Sequence, residues 1–143
     1  KAMPKKFDFI HSISVLEHLP PILVEPILQN LEMSLTSNGV MIHEIDLRDH
    51  RDLEKAPLTF LSRNEDYNAA RDFDLRGNRL RKPEWLAFFS GLKRTKTREL
   101  YEISVDPDKI PDDMIDIVSM FDRQDICVTQ MVLLSERQPE QPI

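Results

Sequence analysis

The sequence predicts an α/β domain, and three observations predict it. Residues 7–14 and 40–47 are apolar runs of strand length. Between them Val24, Leu28, Leu31 and Leu35 recur at spacings of four and three, with Ile27 beside them, which is one face of a helix. A strand that returns after such a helix lies parallel to the first through a right-handed crossover. Farther on, two more strand-like stretches alternate with amphipathic ones. The expected strands are 7–13, 40–47, 95–105 and 126–134, and the expected helices are 22–35, 63–70, 83–91 and 111–121.

Taken in order, residues 1–6 are basic and expected to fray. The first strand opens into Val15-Leu16-Glu17-His18-Leu19-Pro20-Pro21, a turn. Proline is tolerated only in the first turn of a helix, so Pro20, Pro21 and Pro26 place the regular helix from near Glu25. Asn38-Gly39 then punctuates the entry to the second strand. Residues 48–82 are long, heavily charged and carry Phe60, Leu61, Tyr67 and Phe73. A loop of that length without structure is uncommon unless functional, and Ser62-Arg63-Asn64-Glu65 has the form of a capping box. The segment is therefore expected to be a partly ordered lid with a short helix over 63–70. Pro83 suits the first position of the next helix, where Trp85, Phe88, Phe89 and Leu92 form an apolar face before Gly91 ends it. Pro111-Asp112-Asp113 begins another, with Met114, Ile117, Val118 and Phe121 facing inward. Residues 1–136 read as one domain part and 137–143 as a tail.

Composition narrows the function. At 143 residues the chain suits a single domain. A net charge of −6 argues against a groove for nucleic-acid phosphates and leaves small-molecule partners. Cys127 is the sole cysteine, which excludes an intrachain disulfide and a thiolate metal cluster and makes a reducing cytoplasm the expected compartment. No apolar run approaches the roughly 20 residues that span a bilayer, so no membrane partner is expected.

The string Phe7-Asp8-x-Ile10-x-Ser12-x-x-Val15-Leu16-Glu17-His18-Leu19, the amphipathic helix, and Leu35-Thr36-Ser37-Asn38-Gly39 before an apolar strand together resemble the middle of class I S-adenosylmethionine-dependent methyltransferases. His43-x-Ile45-Asp46-x-Arg48-Asp49-His50, then Asn78-Arg79-Leu80-Arg81 and Trp85, are similar to one bacterial branch of that superfamily. The resemblance runs from about residue 6 to 135. It implies the C-terminal half of a Rossmann-like sheet, from the fourth strand onward, with the last strand inserted antiparallel between its two predecessors. The spatial order is then first, second, fourth, third. The family's glycine-rich strand-to-helix turn has no counterpart, since Gly39, Gly77 and Gly91 are the only glycines. The chain is thus expected to be inactive by itself. The implied whole enzyme transfers a methyl group from S-adenosylmethionine to a small or saccharide-like acceptor.

That resemblance assigns Ser12, Ile13, Ser14 and Val15 to the methionine part of the cofactor. Some small-molecule and RNA methyltransferases carry Glu-x-x-Glu-His here as metal ligands. Ser14 replaces the first glutamate, so no metal is expected; the bland reading of Glu17-His18 is a helix cap. His43, Glu44, Asp46, Arg48, Asp49 and His50 are the densest ionisable cluster, on a strand that would normally be apolar on both faces. Substrate-facing groups, a structural ion-pair network and a metal site all fit that pattern. By implication His50 or His43, with Asp46, would take the acceptor's proton, and Arg48, Asp49, Arg79 and Arg81 would bind substrate. The arginines could equally pair with Asp46, Asp49 or Asp72. A competing reading is a non-catalytic remnant that associates with itself or a partner. Without preceding strands, residues 7–14 form an edge interrupted only by Asp8 and His11, and a homo-oligomer is expected.

Overall fold

The computed structural model describes residues 5–68 and 71–139. Strand β1 (Phe7–Ile13) leads through a 3-10 turn, Leu16–His18, to helix α1 (Pro21–Met33) and back to β2 (Leu35–Asp46). Short helix α2 (Phe73–Arg76) and α3 (Lys82–Ser90) precede β3 (Thr95–Ser104); α4 (Asp116–Ser119) and α5 (Arg123–Cys127) precede β4 (Val128–Arg137). The sheet order is β1-β2-β4-β3. β1 and β2 are parallel, and β4 runs antiparallel to both of its neighbours, β2 and β3. Sheet order and strand directions agree with the expectation.

Alternation along β2 sets the layers. Met41, His43, Ile45 and Leu47 point to the face that α1 and α3 cover, where Val24, Leu28, Trp85, Phe89, Met131 and Leu133 complete the core. On the other face Phe9 and Ile13 remain half-exposed, opposite Val40 and Glu44. Gly39 is required where it stands: a Cβ there would come 2.9 Å from the Phe7 carbonyl, at the irregularity where β1 joins β2. Helix α1 starts at Pro21, not near Glu25. Pro26 lies inside it with its ring toward solvent, so the missing N–H falls on the exposed side.

Two helices expected from the sequence are not built as such. No helix forms over 63–68, and 69–70 lie outside the described residues. The Ser62 hydroxyl donates to Asp113 Oδ2 at 2.8 Å, while Arg63 N donates to the Asp113 carbonyl (2.9 Å) and Ile115 N to that of Leu61 (2.9 Å). Those cross-chain bonds use the groups that a helix would need. They also straighten 113–115, so of the expected helix 111–121 only α4 forms, with Val118 buried and Ile117 exposed; α5 follows beyond it and takes Ile126 and Cys127 from the expected strand 126–134. The long segment 48–82 is not a loose lid. Leu58, Phe60 and Leu61 are fully buried and build a second core with Ile110, Val118, Ile126 and Cys127. At the other end β4 continues through Arg137, and Gln138 N donates to the Arg94 carbonyl at 2.8 Å, so the start of the expected tail lies along β3.

Candidate active site

Parallel strands in open sheets present ligands at their carboxyl ends. Here those ends are adjacent, Ile13 pairing with Glu44. β1 stops at Ser14, which among the described residues is the only non-glycine with positive φ, at 50°. That turn folds the chain into the 3-10 helix, Leu16 is held in the core, and Glu17 is placed beneath the strand ends with no exposed surface. Gly77, at φ 83°, lets the incoming segment pass close to Glu17, and Asn78 N donates to the Glu17 carbonyl at 2.6 Å. The Asn78 side-chain amide donates to the Leu19 carbonyl at 2.9 Å, so the turn is fixed from both ends.

At the end of β2 Asp46 receives a two-pronged grip from Arg48, Nε to Oδ1 at 2.9 Å and Nη2 to Oδ2 at 2.6 Å, with the Arg48 backbone N–H adding a third bond. Although burial opposes ionisation, these bonds and the nearby His50 ring hold the Asp46 carboxyl far below the usual carboxylate range. His50 Nε2 stands 3.7 Å from Asp46 Oδ2, an electrostatic contact rather than a hydrogen bond, and Asp46 raises the His50 pKa. Burial lifts Glu17 from 4.5 to about 7, against the lowering influence of its own backbone N–H and of His50. Rings of His18 and His50 meet edge to face with centroids 4.8 Å apart. The candidate site is therefore Glu17, His18, Asp46, Arg48 and His50.

The other sequence candidates are distributed differently. His43 lies on the opposite face of β2 from Asp46, 1% exposed under Phe89, with Nδ1 2.7 Å from the Ser12 hydroxyl. Burial lowers its pKa to about 4, so it is a neutral core histidine remote from the cluster. Ser12 is thereby turned inward, whereas Ile13, Ser14 and Val15 are exposed at the strand end. Arg81 is wholly buried. Its guanidinium donates to the carbonyls of Leu47 (2.6 Å), Ile126 (3.0 Å) and Val128, tying the ends of β2 and β4 together from within. Asp49 is occupied by Arg76, which also donates to the Asp66 carbonyl at 3.1 Å. Arg79 stacks on Tyr67, 3.9 Å from the ring centroid, and among the described residues no carboxylate pairs with it. Sequence reasoning did not single out Arg76. Glu17-His18 was read from its place after a strand end as either part of a metal-ligand motif, disfavoured because Ser14 replaces the first glutamate, or a helix cap.

Parallel β1 and β2 joined by α1, an inserted antiparallel last strand and a polar cluster at the strand ends define the C-terminal part of a class I methyltransferase fold. No protein-family model and no curated protein matches the sequence. Among solved structures the chain is similar to PigF with SAH, at a TM-score of 0.52 and 12% identity over 95% of this chain and 32% of that one. It is also similar to a candidate O-methyltransferase from Nostoc punctiforme PCC 73102, at a TM-score of 0.48 and 13% identity over 94% of this chain and 33% of that one. The chain thus spans about a third of the length of these neighbours, and the likeness is one of fold.

Proposed function

We propose that the chain forms the acceptor side of an S-adenosylmethionine-dependent methyltransferase acting on a small or saccharide-like acceptor. One observation carries this reading: in a sheet of methyltransferase order, the exposed end of β1 and the Asp46–His50–Glu17 cluster stand side by side where such sheets hold their ligands. Ile13, Ser14 and Val15 offer an open wall for the methionine part of the cofactor, a partial fit, since no glycine-rich turn accompanies it among the described residues. The cofactor supplies an activated methyl group, and its arrival on an acceptor heteroatom releases a proton. Asp46, kept ionised by Arg48, favours a positive charge on His50, so the cluster can take that proton. Arg79, without a carboxylate partner, is the cation best placed to meet an anionic or hydroxyl-rich acceptor, a task that Arg81 cannot share from the core.

Calorimetric titration of the 143-residue chain with S-adenosylhomocysteine is expected to show no binding at micromolar concentration. In a polypeptide that completes the sheet, His50→Gln is expected to lower turnover by about 10²–10⁴-fold with cofactor affinity unchanged. Micromolar affinity in the 143-residue chain would show that the cofactor site is built differently. Full turnover in the variant would remove the cluster from the chemistry.

A further inference from the structure

Three side chains at the strand ends carry buried donor atoms without a hydrogen-bond partner, although His50 Nε2 stands 3.7 Å from Asp46 Oδ2. Glu17 is completely buried with neither carboxylate oxygen partnered, and His18 Nδ1 and His50 Nε2 are buried and unpartnered too. One ligand atom from each lies within 4.8 Å of the others. Buried polar atoms almost always have a partner, and an isolated carboxylate in an apolar setting is costly. The other buried carboxylates among the described residues follow that rule: Asp49 has Arg76, and Glu32 accepts from Arg94 N at 2.7 Å and Thr95 Oγ1 at 3.0 Å. Among the buried carboxylates the deficit is therefore confined to Glu17, and a proton or a bound cation would meet it.

We propose that Glu17, His18 and His50 hold a divalent first-row transition cation in the angle between the ends of β1 and β2. Two imidazoles and one carboxylate suit such an ion rather than magnesium or calcium, which prefer oxygen donors. Donors around a tetrahedral ion at zinc-like bond lengths stand about 3.4 Å apart, so small side-chain rotations close the triangle. The third ligand comes from the segment after β2, not from the strand preceding the Glu17 turn. Both ligand-bearing turns are held by one stretch of backbone: His50 N donates to the Arg76 carbonyl at 3.2 Å and Asn78 N to the Glu17 carbonyl at 2.6 Å. Three protein ligands leave open positions facing the proposed acceptor side. In its role the ion rests on the methyl-transfer reading and there replaces His50 as the group that eases loss of the acceptor's proton, because an acceptor oxygen bound to it loses its proton more readily; in its binding it does not.

Cobalt(II) is the probe, because its visible absorption reports nitrogen ligation. Protein stripped with a chelator is expected to take up one cobalt per chain, gain d–d bands and rise in Tm. Glu17→Gln and His50→Ala, each checked for folding by circular dichroism, are expected to weaken binding by more than about 100-fold, whereas His11→Ala leaves it unchanged. No cobalt spectrum at millimolar metal, or wild-type binding in both site variants, would overturn the site. Methyl transfer that survives chelation, with no cobalt spectrum, would strike the ion alone. A cobalt site in a completed fold that transfers no methyl group would strike the methyl-transfer reading and leave the ion site standing.

Discussion

Asp49 and Glu17 are both buried carboxylates, on turns that the 76–78 segment binds through His50 N to the Arg76 carbonyl and Asn78 N to the Glu17 carbonyl, and they are treated in opposite ways. Asp49 accepts from Arg76 Nε at 3.0 Å, from the second Arg76 prong, and from Arg51 N at 3.1 Å. Glu17 accepts nothing through its side chain. A fully bonded buried ion pair is a structural joint, and here it fastens the far part of the long segment 48–82 back to its start, just after the end of β2. An unpartnered one stores an unmet demand, which only a proton or a ligand can satisfy. Adjacent sequence positions, Asp49 and His50, thus divide between scaffold and site.

The largest effect should come from breaking the joint. Arg76→Met leaves Asp49 charged and buried, and is expected to cost about 3–5 kcal/mol in urea unfolding. A loss below about 1 kcal/mol would mean that Asp49 reaches water or another donor, and the contrast with Glu17 would dissolve.

Next comes Glu17→Gln, with opposite sign. Below pH 4.5 the glutamate is neutral in folded and unfolded chains and contributes nothing. Between pH 4.5 and about 7 the unfolded chain ionises first, so wild-type stability relative to the glutamine variant is expected to fall, by on the order of 3 kcal/mol. Unfolding curves at several pH values, recorded with a chelator present, give that difference directly. Parallel pH profiles for the two proteins would show that Glu17 is already satisfied. Arg51→Gln should have the smallest effect. It removes a 2.7 Å bridge to Glu65 from an arginine that is 54% exposed, and the expected cost is below about 0.5 kcal/mol. A larger loss would extend the joint out to the surface.

These contrasts also mark what the sequence could disclose. The first strand–helix–strand unit was legible because residues 7–47 carry two strand-length apolar runs around a helical pattern; the strand order, with the last strand inserted, was legible only through the family resemblance. Helix 63–70 was not: the capping-box residues exist, but Ser62 bonds Asp113, and Glu65 bridges to Arg51 instead of reaching back. That choice depends on a segment some fifty residues on, which no local pattern reports. Arg81 and Arg76 were illegible for another reason. Arginine ordinarily reads as a surface or ligand-binding residue, yet both are buried, and their partners are largely backbone carbonyls and a distant aspartate. For the site, position at a strand end was readable in Glu17-His18. Its convergence with His50 came only from the path of the chain through 76–78.

The insertion of β4 between β2 and β3 has a consequence for the order in which the sheet can assemble. Among the described residues β3 pairs with no strand but β4, so residues 95–104 depend on 128–137 for their ladder. On a growing chain β1, α1 and β2 can associate early through contacts close in sequence, while β3 waits with both rims bare. The final ten-residue strand then closes two ladders at once and brings the carbonyls of Ile126 and Val128 to Arg81. β4 is thus the strand on which both sides of the described sheet depend, and removing residues 128–137 would unpair β3 and bare one rim of β2.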